Sequence, residues 1–201
     1  MQNMTAFTMH CCKKTDVLAI LLGCLSFFIV SFTWASDNAL HVKSAEIIAG
    51  EDAYFLNADF DINFSNEMET ALNKGVPLHF LIEFQLVSPV RYWFDDEIVL
   101  VSAEVTLSYH ALSRQYLINR GSHQSAFLSL QEAKAELARL RNWRVFDKNL
   151  IGKDESYYAV LRMRLDQSQL PKPVQVDALS SEDWSMVSER YRWVPELATD
   201  R

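Results

Sequence analysis

The sequence predicts a mainly β domain, an antiparallel two-sheet β-sandwich of immunoglobulin-like kind with two short helices, behind an N-terminal signal segment. Two stretches of strict alternation carry the prediction. Val99, Val101, Ala103, Val105, Leu107 and Tyr109 face one way while Ser102, Glu104, Thr106, Ser108 and His110 face the other. Leu78, Phe80, Ile82, Phe84 and Leu86 alternate in the same manner with His79, Glu83 and Gln85. A period of two over this length means a strand with one face in a core. The third observation is that Cys11, Cys12 and Cys24 all precede residue 36, so the globular part must be held by its core without disulfides.

The first element is the leader. Lys13 and Lys14 precede an almost unbroken apolar run from Val17 to Trp34, and the small residues Thr33 and Ala35 stand before Ser36. Positive charge, apolar run and small residues in that order predict a signal peptide over 1–35, cut after Ala35, with a single mostly β domain over 36–201. An uncleaved inner-membrane anchor is the alternative, because the run approaches the roughly 20 residues that span a bilayer. Leu21-Leu22-Gly23-Cys24 also has the form of a lipidation box, although the apolar chain after Cys24 would then need burial. In each case the positive flank stays in the cytoplasm, and residues 36–201 are expected in the periplasm.

Strands are expected at Leu40 to Ile48 and Ala53 to Phe64. Ser65 is placed to cap a helix over Asn66 to Asn73, which Gly75 and Pro77 end. After the two strands already described, Gln115 to Asn119 reads as another. Ser129 is expected to cap a second helix over Leu130 to Arg141, where Leu130, Ala133, Leu137 and Leu140 recur at helical spacing. Tyr157 to Asp166 alternates again. Leu170-Pro171-Lys172-Pro173 is expected to be extended, since each proline lacks a donor and restricts its predecessor. The aromatic-rich Trp184 to Val194 segment is expected to return as a last strand.

Composition narrows the partners. The chain has a formal charge of −7, and without Lys13, Lys14 and Asp16 there remain 17 basic and 25 acidic side chains. An acidic domain gains nothing from phosphate backbones or anionic lipid, so no nucleic acid is expected, and membrane contact only through an uncleaved leader.

Asn57, Asp59, Asp61, Asn63 and Ser65 recur at every second position like the start of a calcium loop. A loop from Asp59 would need glycine where Phe64 stands and a carboxylate where Thr70 stands, so the spacing is better explained as the wet face of a strand. His41, His79, His110 and His123 are scattered, with no metal-ligand spacing. No Gly-x-Ser-x-Gly elbow presents a serine. No cofactor, metal or catalytic set is therefore expected.

Two clusters form the candidate binding surface. Arg91, Tyr92, Trp93, Asp95 and Asp96 lie in the densest aromatic and charged stretch of the chain, read either as a recognition surface or as a crossover filling the core. Arg114, Tyr116, Arg162 and Arg164 make the second set, and Tyr109 and His110 are counted with the same surface. Arg162 and Arg164 share one face of their strand, where cross-strand ion pairs are the plain reading and a small anionic ligand the sharper one.

Ala71-Leu72-Asn73-Lys74-Gly75-Val76-Pro77-Leu78, Arg91-Tyr92-Trp93-Phe94-Asp95-Asp96, Leu107 to Tyr116, and Leu161 to Asp166 with Leu170-Pro171-Lys172-Pro173 resemble segments of an uncharacterised proteobacterial family of exported proteins. That family is catalogued as a domain of unknown function and sometimes labelled proline-rich signal peptide protein. Trp184 and Arg192-Trp193 continue the likeness, which spans nearly all of 36–201. The resemblance brings no activity or site residues. Its members are often encoded beside a sensor kinase and response regulator, which implies an envelope or signalling role. The expectation is a non-enzymatic domain binding an envelope or membrane-sensor protein. Alternatives are a module for a small anionic ligand and an envelope enzyme converging His110, Asp95 and Ser108.

Overall fold

The computed structural model describes residues 39–89, 96–152, 155–178 and 180–197. The expected signal segment, and Arg91, Tyr92, Trp93 and Asp95, lie outside the described residues.

Strands β1 (Leu40–Ala49), β2 (Ala53–Ile62) and β7 (Arg139–Asp147) make a three-stranded antiparallel sheet in the order β1-β2-β7. Strands β3 (Leu78–Ser88), β4 (Asp96–His110), β5 (Gln115–Arg120), β6 (His123–Phe127), β8 (Tyr158–Leu165) and β9 (Tyr191–Trp193) make a six-stranded antiparallel sheet in the order β6-β5-β4-β3-β8-β9. The mainly β, two-sheet expectation is met. The strand order corrects the immunoglobulin-like arrangement: β3 to β6 lie side by side in chain order, whereas an immunoglobulin domain deals consecutive strands to both of its sheets.

Alternation places the core. Tyr54, Leu56, Ala58, Phe60 and Ile62 of β2 are buried, and Phe55, Asn57, Asp59 and Asp61 between them are partly exposed. Leu78, Phe80, Ile82, Phe84 and Leu86 of β3 are wholly buried, as are Ala159, Leu161 and Met163 of β8. One hydrophobic cluster joins residues of both sheets, and the Phe84 ring stacks on Phe146 of the small sheet with centroids 6.0 Å apart.

Among the described residues three short α-helices supplement the sheets. In α1 (Asn66–Asn73) the Met68 amide donates to Ser65 Oγ at 3.1 Å, and in α2 (Leu130–Leu137) the Glu132 amide donates to Ser129 Oγ at 3.2 Å. Both caps are the serines expected. Met68 and Leu72 of α1 and Ala133 and Leu137 of α2 are buried on the core side.

Two expected segments take other forms. The second helix stops at Leu137 rather than Arg141, because Arg139 onward is strand β7. The misleading spacing is that of Leu137 and Leu140, which are three residues apart and both buried although the first ends the helix and the second belongs to the strand. Within β7 a bulge follows, where Leu56 pairs with Trp143 but Ala58 with Leu140, and Asn142 takes φ 52°. Strand β6 was likewise not foreseen. The other correction is α3 (Lys172–Ala178), which begins inside the segment expected to be extended. Pro173 stands in its first turn, where an amide would have no helical partner, so its missing donor costs nothing there. Only Tyr191–Trp193 of the expected last strand is regular, but the preceding chain also follows β8: Leu165 N donates to Met186 O and Ser188 N to Met163 O.

In urea denaturation, Ser65→Ala and Ser129→Ala should each lower stability by about 1 kcal/mol. Phe84→Ala, which opens the contact between the sheets, should cost about 3–5 kcal/mol.

Candidate functional site

The expected binding residues that the structure describes separate in space. Asp96 is exposed at the start of β4, paired with Ser88, and Tyr109 and His110 are at the other end of the strand. Fourteen residue steps at about 3.3 Å put roughly 45 Å between Asp96 and His110. Ser108 and His110 therefore lie far from Asp96, the described neighbour of Asp95.

At the far end the residues build the β4–β5 hairpin. Tyr109 packs on Tyr116 with ring centroids 4.9 Å apart, and Tyr116 OH donates to Asn73 Oδ1 at 2.7 Å. Burial raises the Tyr116 pKa, helped by Tyr109 and Glu69. His110 Nδ1 lies 2.9 Å from Ser113 Oγ within the turn. Arg114 takes φ 55°, the left-handed residue that closes the turn. These three positions have evident structural roles.

Arg162 and Arg164 lie on the outer face of the six-stranded sheet, as the alternation required. Both approach one carboxylate, Glu83 of β3: Arg164 Nη2 is 3.4 Å from Oε1 and Arg162 Nε 3.9 Å from Oε2. The second distance is an ion pair and not a hydrogen bond, and Arg162 Nε is a buried nitrogen without a hydrogen-bond acceptor. Register places Arg192 beside Val160 on this face, and its guanidinium lies 4.2 Å from the Tyr158 ring centroid. Arg190 joins Arg162, Glu83, Gln85 and Val160 around a cavity of about 20 Å³. Further along the face, His79 Nδ1 lies 2.9 Å from Glu104 Oε1 and 3.1 Å from Thr106 Oγ1.

Asp166, just past β8, accepts from the Ser168 hydroxyl at 2.6 Å and its amide at 3.1 Å. The hydroxyl bond is the largest cause holding the Asp166 pKa below its ordinary value; burial opposes it, and the Ser168 amide, Arg164 and His79 assist.

A second feature was not foreseen. Where β7 passes over β4 and β5, the sheets part around a cleft of about 1160 Å³. Arg120, Arg139, Arg141 and Trp143 are on its walls, with Ala103 and Val105 of β4. Arg120 pairs with buried Val105 and so lies on the core side of the sheet. Its Nη2 donates to the Glu136 carbonyl at 2.7 Å, satisfying an acceptor in the last turn of α2. Burial lowers the Arg120 pKa, with Glu136 acting in the opposite sense. Arg141 is held by the Ala58 carbonyl at 2.7 Å and Asp59 Oδ1 at 2.6 Å. Alternation could have flagged Arg120, since Tyr116 and Ile118 precede it on the same face, but the strand had been expected to end at Asn119.

Among the described residues no group of three or more His, Cys, Asp or Glu is placed to hold a metal ion, and no helix is long and apolar enough to cross a membrane. What the fold and sites define is a two-sheet antiparallel β domain with an arginine-bearing outer face and a cleft between its layers. The chain belongs to the family described as a domain of unknown function, DUF4390, which it matches over residues 37–194. No curated protein and no solved structure matches it.

The Asp166 interactions make a pH-dependent contribution to stability. With its pKa depressed in the folded state, that contribution is complete above the unfolded-state pKa and disappears as pH falls through the lower folded value. Asp166→Asn should therefore be less stable than the parent in urea at pH 7, and the gap should narrow as the pH is taken below about 4.

Proposed function

We propose that this chain is an exported, periplasmic and non-enzymatic accessory domain that binds an acidic surface on an envelope protein, a membrane sensor being the expected class of partner. The observation that carries the reading is the imbalance on the outer face of β8 and β9. Arg162 and Arg164 share the single carboxylate of Glu83, and Arg190 and Arg192 stand beside them. This is a local cationic surface on a chain of formal charge −7. Such an asymmetry orients an approaching acidic partner and repels wrong ones. Guanidinium groups fixed by a sheet also suit forked contact with carboxylates.

The shape of the face favours a protein over a small molecule at this place. A cavity of about 20 Å³ holds about one water and cannot enclose a ligand. An array of arginines and Tyr158 with no larger hollow beside it among the described residues is better matched by another protein surface.

Crosslinking in intact envelopes followed by recovery of the tagged protein tests the reading. The double variant Arg162→Glu, Arg192→Glu, with its fold confirmed by circular dichroism, should recover its envelope partner at least tenfold less well than the parent, a loss of about 1.4 kcal/mol. High salt should weaken recovery by the parent. Recovery of the same proteins by parent and variant would exclude this face.

A further inference from the structure

We infer that the cleft between the sheets is a peptide-binding site, in which an extended segment bearing a carboxylate adds as a fourth strand to the free edge of β7. The inference is independent of the arginine-bearing outer face, which is formed by β8 and β9.

The edge comes first. β7 ends the three-stranded sheet, paired with β2 on one side and, among the described residues, with no strand on the other. Its Arg139 to Trp143 stretch lines the cleft continuously. An exposed edge offers a row of amides and carbonyls to an incoming strand. The opposite wall belongs to β4 and β5, so the space is bounded on both sides. At about 1160 Å³ it exceeds the roughly 300–1,000 Å³ typical of a small-molecule pocket and suits several residues of extended chain.

Charge selects the ligand. Arg139 is exposed and has no ion pair among the described residues, while Arg141 is engaged by Asp59. Arg120 is the distinctive group. It is a cation on the core side of a sheet, steadied by the Glu136 carbonyl and by the charge of the Glu136 carboxylate, and its remaining N–H groups have no hydrogen-bond acceptor among the described residues. A carboxylate lying between Arg120 and Arg139 would supply that acceptor in surroundings less screened than the open surface.

Bulges and charged residues also protect edges from aggregation, and the bulge at Asn142 with Arg139 and Arg141 fits that description. Edge protection requires neither a cleft nor a cation on the opposite sheet. Arg120 is in the larger sheet, across the space from the edge, where it can protect nothing.

The test uses the chain's 36–201 region behind its own leader, purified as the cell delivers it, and three capped hexapeptides of alternating valine and threonine with one central residue varied among Glu, Gln and Lys. Hydrogen exchange of the backbone amides and titration by NMR are read together. The Glu peptide should slow exchange at amides of Arg139 to Trp143 and bind at least fivefold more tightly than the Gln peptide, with the Lys peptide weakest. Arg120→Gln should abolish the preference for Glu over Gln. Exposed Arg139→Gln, which leaves the core untouched, should reduce that preference at least twofold. Equal binding of the three peptides, absence of protection along β7 at millimolar peptide, or full reproduction of the shifts by succinate without edge protection would each overturn the inference.

Discussion

A three-stranded sheet cannot cover a six-stranded one, and most of this architecture answers that mismatch. The inner faces of β3 and β8 are sealed by β1, β2 and β7, which is why their alternate residues are completely buried. Beyond them the large sheet needs other cover. Met68 and Leu72 of α1 and Ala133 and Leu137 of α2 provide part of it, each held by a helix too short to persist alone and started by a serine cap. Trp184 and Met186 of the returning C-terminal segment contribute more. The cleft is the remainder, a space over β4 and β5 that β7 and the end of the second helix border but do not fill.

The same constraint rationalises the polar groups of the cleft. An arginine on the core face of a fully covered sheet would have to lose its hydration with little compensation. Arg120 is tolerated because it lies at the margin of the cover, with a helix-terminal carbonyl to one side and open space to the other. Arg162 and Arg164 stand on the uncovered face, where partial hydration and Glu83 suffice. Position relative to the layers, more than residue type, separates these two classes of arginine.

Much of the fold was legible because its strands are half-buried and their burial follows a period of two. β3 and β4 could be placed with their ends off by three residues at most, and the Asn57, Asp59, Asp61 series proved to be the wet side of β2, with Asp59 and Asp61 paired to Arg141 and Lys43. Legibility failed where backbone geometry departed from that period. Leu137 and Leu140 keep a helix-like spacing across a helix–strand junction, and Pro173 read as a helix breaker although it occupies the one turn that accepts it. For the site, alternation was enough to set Arg162 and Arg164 side by side. It could not show that Arg120 and Arg139 line one cleft, since that depends on how two sheets overlap, which no local pattern records. Nor could it show that Asp96 and His110 occupy opposite ends of one strand.

The pairing order also governs when the molecule can become itself. Hairpin β1–β2 forms from neighbouring residues, yet Ala53 finds its partner only in Asp147, and Phe80 finds one of its own only in Leu165. Neither sheet can be completed until most of the chain is available, and the loop-closure entropy of these pairings must be met before the core rewards it. Such a topology folds late and slowly, on the order of milliseconds to seconds. A nascent chain that has not yet produced β7 and β8 can therefore pair β3 to β6 but close neither sheet, and loss of its last third would remove the central partner of β3 along with the end of the chain.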